Sequence, residues 1–230
     1  MRRLVVIALL SSLLPATSTQ AAANDALSAL NKLEVKGRAA KTGYTRSQFP
    51  HWSDPDRNGC DARNDTLKRD LTDISYKAGT RDCKVIAGQL LDPFSGKVII
   101  FSTTKVVIDI DHVVALSNAW QTGAAYFDKA LRTQIANDPL NLLAVDSKLN
   151  RQKGDGDAAT WLPPSKTFRC EYVARQVAVK GKYKLWVTEP EKVAITKILS
   201  SCVDQNFLPK LKIELMAVWK RVWMSYMKNG

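Results

Sequence analysis

Apolar positions change their period along this chain. Residues 24–36 (NDALSALNKLEVK) carry Leu27, Leu30 and Leu33 at helical spacing behind an Asn-Asp cap, which predicts a first helix. GYTRSQFPHW, 43–52, is aromatic and irregular, and DPDRNGCDARND, 54–65, is a polar loop. TLKRDL, 66–71, reads as a short helix capped by Asn64 or Asp65. The pattern then alternates or runs β-branched, predicting strands over 83–92, 97–102 and 105–111, with a PFSG turn at 93–96. Helical spacing returns over 113–123 and 125–137, and residues 138–164 give a strand and a short helix before a Gly/Pro-rich stop. Residues 168–186 read as one helix, and 188–202 as another with Thr188 as cap and Pro190 and Glu191 in its first turn. In 208–228, Leu211, Leu215, Trp219, Val222 and Tyr226 form one stripe. No internal repeat interrupts the series. The order predicts one α+β domain with a helical C-terminal part.

The N-terminus departs from this pattern. Arg2 and Arg3 precede an apolar run from Leu4 to Leu14, followed by small residues at Ala21, Ala22 and Ala23. That is the layout of a secretory signal peptide over 1–23. The run is short for a bilayer span, so a retained anchor is the weaker reading and no stable membrane insertion is expected after cleavage. The whole chain carries a net charge of +12, and removing residues 1–23 takes away two arginines and no acids, leaving +10. An exported basic protein attracts polyanions: nucleic acid, anionic lipid or acidic wall polymer. The four cysteines, Cys60, Cys83, Cys170 and Cys202, contain no C-x-x-C pair and so argue against a zinc ribbon. In an exported chain an even count points to two disulfides. Of the three pairings, Cys60–Cys83 with Cys170–Cys202 is favoured, because each closes a moderate loop around its own elements.

Candidate chemistry gathers at the end of the third predicted strand. IDIDHVVAL, 108–116, places Asp111 beside His112, one of two histidines in the chain. NLLAV follows at 141, and Asn150 lies nine residues beyond Asn141 in LNRQKGD. The order DH, N, N-x-x-K resembles the HNH nucleases, in particular their secreted DUF1524 branch, related to the nuclease part of GmrSD-type restriction enzymes. The resemblance runs through GCDARNDTLKRDL, DHVVALSNAW, NDPLNLLAVD, NRQKGDGDAATWLPP and FRCEYVARQVAVKGKY, roughly residues 43–202.

That resemblance implies an HNH-type ββα-metal core with added strands. It also implies a secreted endonuclease that hydrolyses phosphodiesters, DNA above all, leaving a 5′-phosphate and a 3′-hydroxyl. Asp111 and Asn150 would hold one divalent ion, with Mg2+ or Mn2+ expected, since hard cations take oxygen ligands and one imidazole without thiolates suits zinc poorly. His112 would be the general base and Asn141 would hold its loop. Arg151 and Lys153 are expected on substrate phosphates, and Arg63 as a further substrate contact. The resemblance implies a nuclease domain over 43–202. The chain then reads as signal peptide 1–23, helix and linker 24–42, that domain, and an amphipathic basic helix over 203–230. This last helix departs from the family pattern and is read as packing on the domain more than as lying on nucleic acid or membrane.

Blander readings accompany several of these residues. Asp109 is expected to be an edge-strand charge more than a supporting acid. His51 has no local partner motif and receives no role. GDGD, 154–157, lacks the spacing of a calcium loop and reads as a turn. Trp120, Trp161 and Trp186 are expected in the core. Two rival functions stay open: a non-catalytic binder of nucleic acid or acidic wall polymer, and a nuclease toxin held by an immunity protein. Sequence preference and oligomeric state are not legible from the chain.

Overall fold

The computed structural model describes residues 18–105 and 107–204. The first part of the signal-peptide reading, 1–17, and nearly all of the basic C-terminal helix, 205–230, lie outside the described residues. The fold is α+β. In chain order it runs α1 (Ser18–Lys32), α2 (Ala62–Asp70), β1 (Leu71–Tyr76), β2 (Val85–Leu91), β3 (Val98–Ser102), β4 (Ile108–His112), α3 (Leu116–Gln121), α4 (Lys129–Asn137), β5 (Leu142–Asp146), α5 (Ser147–Lys153), α6 (Arg169–Lys182) and α7 (Glu189–Asp204). Among the described residues no helix is long and apolar enough to cross a membrane.

Two antiparallel sheets form: β1-β2-β3, and a ribbon of β4 with β5. In the ribbon Asp111 pairs with Leu143, and His112 with Leu142. Side chains alternate across a strand, so the ribbon has two buried faces. Ile108, Ile110, Leu142 and Ala144 pack with Leu67, Leu71, Leu90 and Phe101 of α2 and the larger sheet. Leu143 and Val145 pack on the other side with residues of α1, α6 and α7, including Leu30, Tyr172, Val177 and Ile195. A third cluster joins Phe49, Val114, Trp120, Ile135 and Tyr183 around α3 and α4. The ribbon is wedged between the first two clusters, and α5 packs across both of its strands. Together β4, β5 and α5 make a ββα unit whose strand end opens where the third cluster begins.

Cys60 bonds Cys83, and Cys170 bonds Cys202, the pairing favoured from the sequence. The first bridge joins the loop before α2 to the approach of β2, and the second staples the start of α6 to the end of α7. Closing loops of 23 and 32 residues, each contributes about 3 kcal/mol in the chain-entropy description.

Several boundaries differ from the sequence reading, for identifiable reasons. The first helix already includes Ser18, the first described residue, because the alanine run continues it upstream of the expected start, and it stops at Lys32 because Val35 bridges Val187. α2 starts a turn before the expected 66, with Asp61, not Asn64 or Asp65, accepting from Asn64 N as its cap. β1 was not anticipated; its LTDISY run is exposed at Thr72, Asp73 and Ser75 and carries a register shift, with Asp73 at φ 49°. The helix expected at 113–123 shortens to α3, because residues 113–114 bond to Asn141 instead of entering a helical turn. The expected 125–137 helix begins only at Lys129, where Asp128 caps it. Thr188 does cap α7: its Oγ1 accepts from Glu191 N, and Glu191 Oε2 accepts from Thr188 N.

A candidate active site at the ribbon end

Strand alternation separates Asp111 and His112 although they are neighbours. Asp111 shares a face with Asp109 and turns toward α5 and α6. His112 turns the other way, toward the end of α4 and the segment before α2. Both are 4% exposed, and both line one cavity of about 200 Å³ at the strand end, together with Tyr44, Arg46, Asn150 and Asp155.

His112 is held on two sides. Its Nε2 lies 2.9 Å from the Ala136 carbonyl oxygen. A carbonyl can only accept, so Nε2 carries the hydrogen and Nδ1 keeps the lone pair. The Trp52 ring stacks on the imidazole, with centroids 6.0 Å apart and planes 28° apart. Burial pushes the imidazole pKa down to about 3; the Ala136 bond works against this, and Arg46, Lys153 and His51 add to the lowering. The ring is therefore neutral at ordinary pH.

Asn141 fastens the backbone that follows His112. It is fully buried. Its Oδ1 accepts from Val114 N at 2.8 Å, and its Nδ2 donates to Val114 O at 3.3 Å and Ile135 O at 3.1 Å. Its own carbonyl accepts from Val113 N at 2.8 Å. The carbonyls around it are clamped from outside, with Arg175 donating to Leu140 O and Pro139 O, and Arg69 to Pro139 O and Leu142 O.

Asp111 uses one carboxylate oxygen and leaves the other unpaired. Oδ1 accepts from Lys153 Nζ at 2.8 Å. Oδ2 is buried without a hydrogen-bond partner. Burial raises the pKa of this carboxyl, and Lys153 opposes the rise. Asn150, half-buried on α5, donates from Nδ2 to Asp109 Oδ2 at 3.2 Å. That bond leaves the amide oxygen as the group's acceptor. Among the described residues no three His, Cys, Asp or Glu side chains converge to hold a metal. Asp111, with its orphaned carboxylate oxygen, and Asn150, with an amide oxygen left as acceptor, nevertheless line the same cavity, and such oxygen donors suit a hard cation that completes its shell with water and substrate.

The three expected substrate contacts separate. Arg151 is exposed on α5, one residue from Asn150. Lys153 does not face solvent as expected of a phosphate contact: its side chain is 0% exposed and is bound to Asp111 and to the His112 carbonyl. Arg63 lines a different cavity, with Phe101, Ser102, Thr103, Lys105 and Ile108. Other neighbours of the site were not singled out from the sequence. Arg46 is exposed at the cavity rim and Trp52 covers His112, both supplied by the irregular aromatic stretch. Asp109 orients Asn150, a task the edge-charge reading passed over.

A family model described as GmrSD restriction endonucleases, C-terminal domain, matches residues 61–198. The chain is also similar to a protein of Arthroderma benhamiae described as an uncharacterized secreted protein. The two are 37% identical over 182 residues, which span 78% of this chain and 86% of that protein. No solved structure matches the chain.

Proposed function

The chain belongs to the family of GmrSD restriction endonuclease C-terminal domains, and from that premise we propose that it is a secreted, HNH-type endonuclease that hydrolyses DNA phosphodiesters with the aid of a divalent metal. The observation that carries the reading is that one cavity is lined both by His112, an anchored neutral imidazole, and by Asp111, whose carboxylate keeps one buried oxygen unpaired.

His112 is the general base. Its Nδ1 takes a proton from the attacking water, while the Ala136 carbonyl keeps the ring in that tautomer and comes to share the positive charge. The water oxygen bonds to phosphorus as the bond to the 3′ oxygen breaks, and a solvent water protonates that oxygen, giving the 5′-phosphate and a 3′-hydroxyl. Asn141 keeps the turn after His112 in place. Asp111 and Asn150 are the ligands for Mg2+ or Mn2+. Such an ion, when bound, supplies charge relief at the phosphate and the leaving oxygen. We assign the neighbouring phosphates to Arg46, which lines the cavity, and to Arg151, exposed beside Asn150 on α5. The net charge, +10 once residues 1–23 are removed, supplies affinity for the polyanion, which should weaken steeply with salt. Export fits the two disulfides and the secreted designation of the fungal relative.

The test is cleavage of supercoiled plasmid with Mg2+ or Mn2+, with and without EDTA, by the native protein and by His112→Ala. Cutting that needs the metal and is lost in the variant is expected. Gel retardation without any strand cutting would favour the non-catalytic binder instead.

A further inference from the structure

Lys153 is a buried ammonium, which is costly unless its hydrogens and charge are matched. Its Nζ donates to Asp111 Oδ1 and to the His112 carbonyl, each at 2.8 Å. Both acceptors belong to the last two residues of β4. Lys153 and Asn150 stand three apart on α5 and so share a helix face. The helix ends directly after Lys153, at Gly154 with φ 52°. One short helix thus delivers both an amide and a fixed cation to the same strand end.

We infer that Lys153 is a positioning residue, a built-in cation that pins Asp111 through Oδ1, leaves Oδ2 as the sole ligand oxygen of that carboxylate, and weakens the site's hold on a divalent ion. The pinning of Asp111 stands on geometry alone; the ligand role of Oδ2 and the weakened hold on an ion rest on the nuclease reading. The geometry supplies the reason. With Oδ1 engaged, the carboxylate cannot chelate through both oxygens. An ammonium one carboxylate away from a dication repels it, so affinity is lowered while the ligand is held rigid. A site restrained in this way keeps its ion exchangeable and its open positions available to water and phosphate.

The experiment is a double-mutant cycle on the full chain: native, Lys153→Met, Asp111→Asn, and the double variant. Thermal unfolding and calorimetric Mn2+ binding are measured for each. Lys153→Met strands a buried carboxylate and should lower Tm by about 10 °C. The double variant, with neither charge, should recover at least half of that loss. Lys153→Met should bind Mn2+ about tenfold more tightly than the native chain. If Lys153→Met does not fold and the double variant does, the positioning role stands. If the double variant is as unstable as Lys153→Met, or fails to fold, Lys153 acts through packing and the inference is overturned. Mn2+ affinity unchanged in Lys153→Met, with clear binding to the native chain, overturns the attenuating role alone. Absence of Mn2+ binding to the native chain overturns the metal reading and the attenuating role with it, and leaves the unfolding cycle to decide the rest.

Discussion

Trp52 lies stacked on His112, its backbone in the left-handed region at φ 62°. A bulky residue is rarely found there unless its surroundings hold it. Here the hold is visible. Asn137 accepts from Ser53 N at 2.9 Å and donates to Pro50 O at 2.7 Å. The neighbouring Ala136 carbonyl receives His112 Nε2. One end of α4 therefore fixes both the imidazole and the ring that covers it.

That arrangement makes Trp52 a support for the base. Trp52→Ala should uncover one face of the imidazole and let it tilt. An aromatic pair is worth about 0.5–1.5 kcal/mol, so kcat should fall about tenfold with KM little changed. Trp52→Phe should restore most of the rate. Equal activity in Trp52→Ala and the native protein would remove Trp52 from the mechanism.

His112 also sets the response to acid. Its folded pKa of about 3 lies below the ordinary 6.5. The unfolded chain takes up the proton first, so the stability tied to the neutral ring is complete above pH 6.5 and is lost as pH falls toward 3. A metal ion beside Asp111 would push the same way. The raised Asp111 carboxyl acts against it, because it gains a proton in the folded state before an ordinary aspartate does. His112→Asn cannot titrate, so its stability deficit relative to the native protein should shrink between pH 7 and pH 4.5 in urea unfolding. The same neutral ring implies that the acid limb of kcat against pH lies below about pH 5. A limb centred near 6.5 would show that the base is an ordinary, solvated histidine.

Asn141 carries more structure than a single amide usually does. Its side chain makes three hydrogen bonds to backbone, all in the interior. Asn141→Ala leaves those groups unpaired, at about 1–3 kcal/mol for each buried loss. Unfolding should show a deficit of about 3 kcal/mol or more. Activity should fall further than stability explains, because the turn after His112 is released. Asn141→Ala with native stability would contradict the hydrogen-bond pattern.

What was legible in the chain follows the range of the forces involved. Strand β4 reads directly from IDID, because a β-branched run between polar stretches has few alternatives, and the DH–N–N order marks residues that the ββα unit of β4, β5 and α5 brings together. The interior place of Lys153 was not legible. Lysine is almost never buried without a partner, and its partner stands 42 residues away, across two helices and a strand. Trp52 and Arg46 were hidden for the same reason: they sit in an irregular stretch whose position is set by long-range bonds from Asn137 and by the aromatic contacts of Phe49 and Trp120. Strand β1 escaped because its exposed, shifted register imitates a polar loop.

Asp109 and Asn150 supply the last expectation. The Asp109 carboxylate takes an Asn150 amide hydrogen at 3.2 Å, which turns the amide so that its oxygen is the acceptor left over. Without that bond the amide can flip and present nitrogen to a cation, which binds none. Asp109→Ala should therefore weaken Mn2+ binding about tenfold, although Asp109 itself need not touch the ion. Asn150→Asp sets two carboxylates against each other and should weaken binding as well, through repulsion and a twisted ligand. Asp109→Asn together with Asn150→Asp restores a donor and an acceptor in exchanged places. That pair should bind Mn2+ better than either single variant, with calorimetry as the measure. If the combined variant binds no better than the singles, the bond does not orient the ligand, and Asp109 returns to being a charge on a strand.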